Sequence, residues 1–102
     1  MNDLPVEIFR KWTHSREEDQ GAIKVYRGEG FNFPPARGRD GIEFRQDGTF
    51  IEWAIGAADN QRAIPGHWTA SDSTHVRVTF DEQRPPRDLE IVQCDRDILK
   101  VR

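Results

Sequence analysis

The chain has 102 residues, of which 35% are hydrophobic and 32% are charged, and its formal net charge is −3. This length predicts one domain, spanning residues 1–102, which can bury a modest core without metals or disulfides. The negative charge disfavours nucleic-acid binding. The single cysteine, Cys94, excludes a disulfide framework within the chain.

No segment predicts export or membrane insertion. Residues 1–5 lack the basic and apolar regions of a signal peptide. No apolar run approaches the roughly 20 residues that a membrane helix needs. We therefore expect a cytoplasmic protein with no membrane partner.

Apolar and polar residues alternate through most of the chain, which is typical of half-buried β-strands. The apolar stripes, in chain order, are Val6, Ile8 and Trp12; Ile23 and Val25; Ile42 and Phe44; Ile51, Trp53 and Ile55; Val76, Val78 and Phe80; Leu89 and Ile91; and Leu99 and Val101. In the fourth stripe, we expect Glu52 to point away from its apolar neighbours. Residues 15–20 predict one helical turn at most.

Turn-forming residues separate these stripes. Gln46-Asp47-Gly48-Thr49 predicts a hairpin, because Asp-Gly suits the positive φ angles of a type I′ turn. Residues 71–73 and 95–97 predict further short turns. Pro85 and Pro86 predict a stiff loop, since proline cannot donate to a strand ladder.

About eight short strands joined by tight turns predict an all-β, antiparallel meander. An open sheet of this size would expose two edges, whereas closure removes them. Side chains alone can fill an eight-stranded barrel. The sequence therefore favours a closed or nearly closed small barrel over a sandwich.

Two segments, Lys11-Trp12-Thr13 and Gly66-His67-Trp68-Thr69, each place a tryptophan in a strand-like stretch, and a turn followed by an alternating strand begins at Ser73. This layout resembles lipocalin-like, calycin-type barrels, in which a first-strand tryptophan closes one end. The resemblance implies an eight-stranded barrel with a ligand at its open end. It does not include a first-strand Gly-x-Trp, because Arg10 stands two residues before Trp12.

The chain more closely resembles a family of short bacterial proteins of uncharacterised function. The stretches that carry this resemblance are residues 12–19, Val25-Tyr26-Arg27, residues 33–39 and Gly66-His67-Trp68. It implies the same fold and supplies no activity.

The segment from Gly28 to Asp40 is long for a barrel connection, and long loops in compact domains tend to be functional or disordered. It carries Phe31, Phe33 and two prolines, which a disordered linker would not need. We expect it to fold back as a plug or lid over one barrel end. As a cap it would be structural, and as a gate it would control access of a ligand.

The polar residues predict no catalytic site, metal site or cofactor. His14 with Glu18 would need two further metal ligands, and His67 and His75 qualify only if the fold brings them close. Arg37 and Arg39 could bind an anion with the Gly38 backbone, or could pair with the acidic run at residues 17–19. Asp95 beside Cys94 disfavours a nucleophilic thiol.

Two hypotheses for function remain open. One is a small-molecule-binding barrel that holds a compact apolar or anionic ligand at one end. Its candidate binding residues are Trp12, Tyr26, Arg27, Phe31, Phe33, Arg37, Arg39, Trp53 and Trp68. The other is a protein-interaction or structural module, which self-associates or binds a protein partner through the 28–40 loop.

Overall fold

A computed structural model of the chain describes residues 4–36, 38–56 and 60–102. These residues form eight strands and two 3-10 helices of three residues each. The strands are β1 (Lys11–His14), β2 (Lys24–Arg27), β3 (Gly41–Phe44), β4 (Thr49–Ile55), β5 (Gln61–Ala70), β6 (His75–Phe80), β7 (Arg87–Cys94) and β8 (Ile98–Val101). Within the described ranges, no helix is long and apolar enough to cross a bilayer.

The predicted closed antiparallel barrel is confirmed. Its strand order is β1-β2-β8-β7-β6-β5-β4-β3, and β1 pairs with β3 to close the ring. Strands β3 to β8 form a continuous meander, in which each strand pairs with the next along the chain. The β1–β2 hairpin completes the wall, because β2 pairs antiparallel with β8.

The N-terminal segment closes one end of the barrel, here called the plugged end. The first stripe is not a strand before Lys11: Pro5 and Ile8 close a 3-10 helix over Val6–Ile8 through a hydrogen bond of 3.1 Å. Val6 is consequently 67% exposed, whereas Ile8 is fully buried in the main core. The indole of Trp12 donates to the Ile8 carbonyl at 3.0 Å and ties this plug to β1.

The fourth stripe faces in the opposite direction from the prediction. Phe50 belongs to the central core cluster, and its same-parity neighbour Glu52 points into the barrel. Pairing of Phe44 with Phe50 fixes this register, because partners in an antiparallel pair lie on the same face of the sheet. Ile51 and Trp53 therefore lie on the outer face.

The predicted hairpin between β3 and β4 is present with a three-residue loop. The Gly48 N–H donates to the Arg45 carbonyl at 3.2 Å, and the Arg45 N–H donates to Thr49 at 2.9 Å. Gly48 has a φ of 95°. A left-handed glycine that ends a three-residue loop is the next common solution after the type I′ turn.

The 28–40 segment does not act as the plug. Because β2 and β3 both run antiparallel to β1, the segment must return from the plugged end to the opposite, open end. Its course lies on the outer surface, where the Arg16 side chain donates to the Gly38 carbonyl at 2.9 Å. The amide of Gln61 donates to the Arg39 carbonyl at 2.9 Å.

Candidate functional site

The end of the barrel opposite the plug opens into a cavity of about 460 Å³. Side chains from β2, β3, β4 and β7 line it, together with Asp40 from the loop before β3 and Arg84 from the loop before β7. Its polar and charged lining residues are Lys24, Tyr26, Asp40, Glu52, Arg84 and Arg87. A polar interior at one end contrasts with the apolar plug at the other end.

Tyr26 lies at the inner part of this cavity and is only 2% exposed. Its hydroxyl group makes no hydrogen bond to another residue within residues 4–36, 38–56 and 60–102, and since none of these residues has a polar side-chain atom that is both buried and unpaired, the hydroxyl oxygen is accessible from the cavity. Burial raises the pKa of Tyr26 to about 12, with a further upward contribution from Asp40 and a downward one from Arg87. The hydroxyl is therefore a protonated donor that lies in the electric fields of both charged groups.

Glu52 holds two arginines at the wall of the cavity. Its carboxylate accepts from Arg87 at 2.7 Å and from Arg84 at 3.3 Å, and its side chain is 18% exposed. Each guanidinium has five N–H donors in a planar fork. The bonds to Glu52 use one nitrogen of each arginine, and Arg84 Nη1 also lies 3.7 Å from Glu82 Oε1. The pairing therefore fixes both cations and leaves further donors for a ligand mainly on Arg87.

Lys24 and Asp40 add one charge of each sign to the lining. The Lys24 ammonium has no ion-pair partner in the part of the chain that the structure describes. Asp40 Oδ1 lies 3.0 Å from His14 Nδ1, and no described residue donates to its Oδ2. The cavity therefore presents a cationic wall of Lys24, Arg84 and Arg87 and a carboxylate at Asp40.

His14 lies between two carboxylates and is 6% exposed. Its Nδ1 lies 3.0 Å from Asp40 Oδ1, and its Nε2 lies 3.0 Å from both oxygens of Asp19. Ionised carboxylates only accept hydrogen bonds, so both ring nitrogens carry protons in this arrangement. Burial lowers the pKa of His14, but the bonds to Asp40 and Asp19 outweigh it, and the net shift is upward.

We expect His14→Gln to lower the free energy of unfolding by about 2 kcal/mol near pH 5.5, because it removes the cation between two partly buried carboxylates. The raised pKa of His14 stabilises the fold fully below its unfolded value of 6.5, and this contribution disappears as the pH rises through the folded value. The lowered pKa of Asp40 acts in the opposite direction below about pH 4. Urea denaturation at pH 5.5 and pH 8.5 tests the expectation for His14, and a further measurement at pH 3 tests the one for Asp40.

His75→Gln is the matched control for this measurement, because His75 is exposed and pairs with Asp72 on the surface. We expect His75→Gln to lower the free energy of unfolding by less than about 0.5 kcal/mol at both pH values. An equal loss for His14→Gln at pH 5.5 and 8.5 would mean that the pKa of His14 is the same in the folded and unfolded chain, and would contradict the raised pKa.

The structure describes all but one of the binding residues predicted from the sequence, and among those described only Tyr26 lines the cavity. Trp12 is fully buried in the core and Trp68 packs on Phe9 with ring centroids 5.8 Å apart, toward the plugged end. Trp53 lies on the outer face, where its indole donates to Glu43 at 3.0 Å and the Lys11 ammonium covers its ring. Arg37 lies outside the described residues.

The remaining candidates form an outer clasp between the 28–40 loop and the helix at Arg16–Glu18. Arg27 makes two hydrogen bonds to Glu18, and Arg39 makes two to Glu17. These bonds are the main reason that the pKa values of Glu17 and Glu18 fall to about 2. The Arg27 guanidinium stacks over the Phe31 ring and the Arg39 guanidinium over the Phe33 ring. The two rings pack edge to face with their centroids 4.8 Å apart.

The other reactive side chains do not assemble into a site. The described residues contain no group of three or more potential metal ligands. His67 and His75 make separate surface pairs, with Asp81 and Asp72. Burial, with smaller contributions from Glu7 and Asp95, raises the pKa of the Cys94 thiol to about 11.

The charged members of the cavity, Glu52 and Arg87 above all, are not among the binding residues predicted from the sequence. A usable signal was present in the hairpin. If Phe44 faces inward, its cross-strand partner Phe50 also does, and the alternation then turns Glu52 inward. No comparable signal places Arg84 and Arg87, because their positions follow from how the loop before β7 folds.

No protein-family model, curated protein or solved structure matches this chain.

Proposed function

We propose that this protein is a small-molecule-binding barrel, and that it holds a compact anionic ligand in the cavity at its open end. The observation that carries the proposal is the Tyr26 hydroxyl, which makes no hydrogen bond to the described residues and lines the same cavity as Lys24, Arg84 and Arg87. Such a hydroxyl can exchange water for a bound anion, and a hydrogen bond to a charged acceptor is stronger than one to a neutral acceptor. A ligand at one open end of an eight-stranded barrel is also what the lipocalin resemblance implies.

Charge supports an anion over an apolar compound. Lys24, Arg84 and Arg87 outnumber the carboxylates of Asp40 and Glu52 among the residues that line the cavity. Arginine forks match the geometry of carboxylate and phosphate groups. Ile42 and Ala54 supply a limited apolar surface for the remainder of the ligand.

Tyr26→Phe tests the proposal with succinate and inorganic phosphate as probes. We expect the variant to raise the Kd of the better-bound probe about 10-fold, because one hydrogen bond to a charged acceptor is lost. Its thermal midpoint should stay the same, since the hydroxyl supports no other described residue. Two-dimensional NMR titration gives the Kd, and differential scanning calorimetry gives the midpoint.

Arg77→Gln serves as the control, because Arg77 pairs with Asp88 outside this cavity. It should leave the Kd unchanged. Shifts confined to residues away from the cavity, or no saturable shifts with either probe, would contradict the proposed function.

The interaction-module hypothesis has less support from the geometry. Phe31 is 37% exposed, but its ring is used within the clasp by Arg27 and Phe33. The two aromatic rings of the loop are therefore already in contact with their own chain, and among its described residues only Pro34, Pro35 and Ala36 add further exposed apolar surface.

A further inference from the structure

Side chains of both charges line the cavity of the proposed binding site. The inference drawn from them below rests on the proposed function. The cationic wall consists of Arg84 and Arg87, fixed by Glu52, together with the unpaired Lys24. Asp40 supplies the anionic side. The Tyr26 side chain lines the same cavity as Asp40 and Arg87.

Asp40 is held in a fixed position with spare hydrogen-bonding capacity. Its Oδ1 is bound to His14, and His14 is in turn held by Asp19 on its other nitrogen. Two carboxylates share one imidazolium, so the set of three carries a net negative charge. A carboxylate held in this way accepts a hydrogen bond from a cationic group without first reorganising.

An anion alone would leave Asp40 as a repulsive neighbour in the same cavity. Like charges that are brought together without a partner disfavour binding. A ligand with an ammonium group for Asp40 and a carboxylate for the arginines would satisfy both walls, and the carboxylate would also accept from Tyr26. We propose that the ligand is a small zwitterion of the amino-acid type, with Asp40 as the residue that selects its ammonium group.

Three matched series of probes test this proposal by NMR titration. The first is the amino acids glycine, β-alanine, γ-aminobutyrate and 5-aminovalerate. The second is the carboxylates with the same carbon counts, acetate to valerate, and the third is the corresponding alkylamines. We expect one zwitterion to bind at least about 10-fold more tightly than its carboxylate and its amine, since a charge-assisted hydrogen bond contributes about that factor.

Asp40→Asn should abolish this preference while the carboxylate still binds. Asp19→Asn is the matched control, because it weakens the same histidine but does not line the cavity. It should keep the preference. If both variants lose it equally, the net negative charge of the Asp19–His14–Asp40 set rather than a direct bond to Asp40 selects the ammonium group, and the proposal is overturned.

The outcomes also separate this inference from the proposed function. A carboxylate that binds as tightly as its zwitterion overturns the zwitterion proposal and leaves the anion-binding function intact. An amine that binds as tightly as the zwitterion, or the absence of saturable binding in all three series, overturns both.

Discussion

Trp12→Ala should lower the free energy of unfolding by about 4 kcal/mol, which is the largest effect that we expect from a single side chain. Trp12 is completely buried, and its loss would leave a cavity beneath the plug. The variant also removes the hydrogen bond from the indole to the Ile8 carbonyl. The segment that closes the barrel would then lose its attachment to β1.

Urea denaturation followed by far-ultraviolet circular dichroism measures this loss. Trp53→Ala is the matched control, because Trp53 has the same side chain on the outer face of the neighbouring part of the barrel. We expect it to cost about 1 kcal/mol, mainly through the lost contacts with Lys11 and Glu43. Equal losses for the two variants would contradict the inward and outward assignments.

Gly66→Ala should cost about 3 kcal/mol, because β5 and β6 approach each other too closely for a side chain at this position. A Cβ atom on Gly66 would collide with the Thr79 carbonyl oxygen and also press on Phe80. Backbone atoms of a paired strand cannot move aside as a flexible side chain can. The strand pair would have to separate locally, and the core around Phe80 would loosen.

The same denaturation assay checks this expectation, with Thr69→Ala as a control at an exposed position of the same strand. The control should change stability by less than about 0.5 kcal/mol. A loss below about 1 kcal/mol for Gly66→Ala would show that the two strands can separate at little cost.

Alternation alone was sufficient to predict the class of fold. Stripes such as Val76, Val78 and Phe80 have one parity in the sequence and one face in the barrel, because a strand places successive side chains on opposite faces. The stripe at Ile51 and Trp53 misled this reasoning, since large apolar residues occupy the outer face there. Only pairing across the β3–β4 hairpin determines which face is inside.

The candidate site was less accessible to sequence reasoning. The sequence predicts Tyr26 as a binding residue, but Glu52 and Arg87, which line the same cavity, are far from it along the chain and come near it only after the ring has closed. His14 was noted beside Glu18, whereas the fold brings it to Asp19 and Asp40. The Ser15 hydroxyl, rather than His14, donates a hydrogen bond to Glu18 Oε1, at 2.7 Å. Local spacing cannot rank such competing acids, because the fold of the β1–β2 connection decides that Asp19 rather than Glu18 reaches the ring, and the loop before β3 adds Asp40.

The placement of β1 between β2 and β3 has a consequence for the order in which the barrel forms. Hairpins from β3 to β8 join neighbours in sequence, so they can form early at a small loss of chain entropy. The seam between β2 and β8 joins distant segments. We therefore expect the six-stranded meander to form first and the first hairpin to dock onto it last. The cavity, which needs Tyr26 from that hairpin, would then come into existence only in the final step of folding.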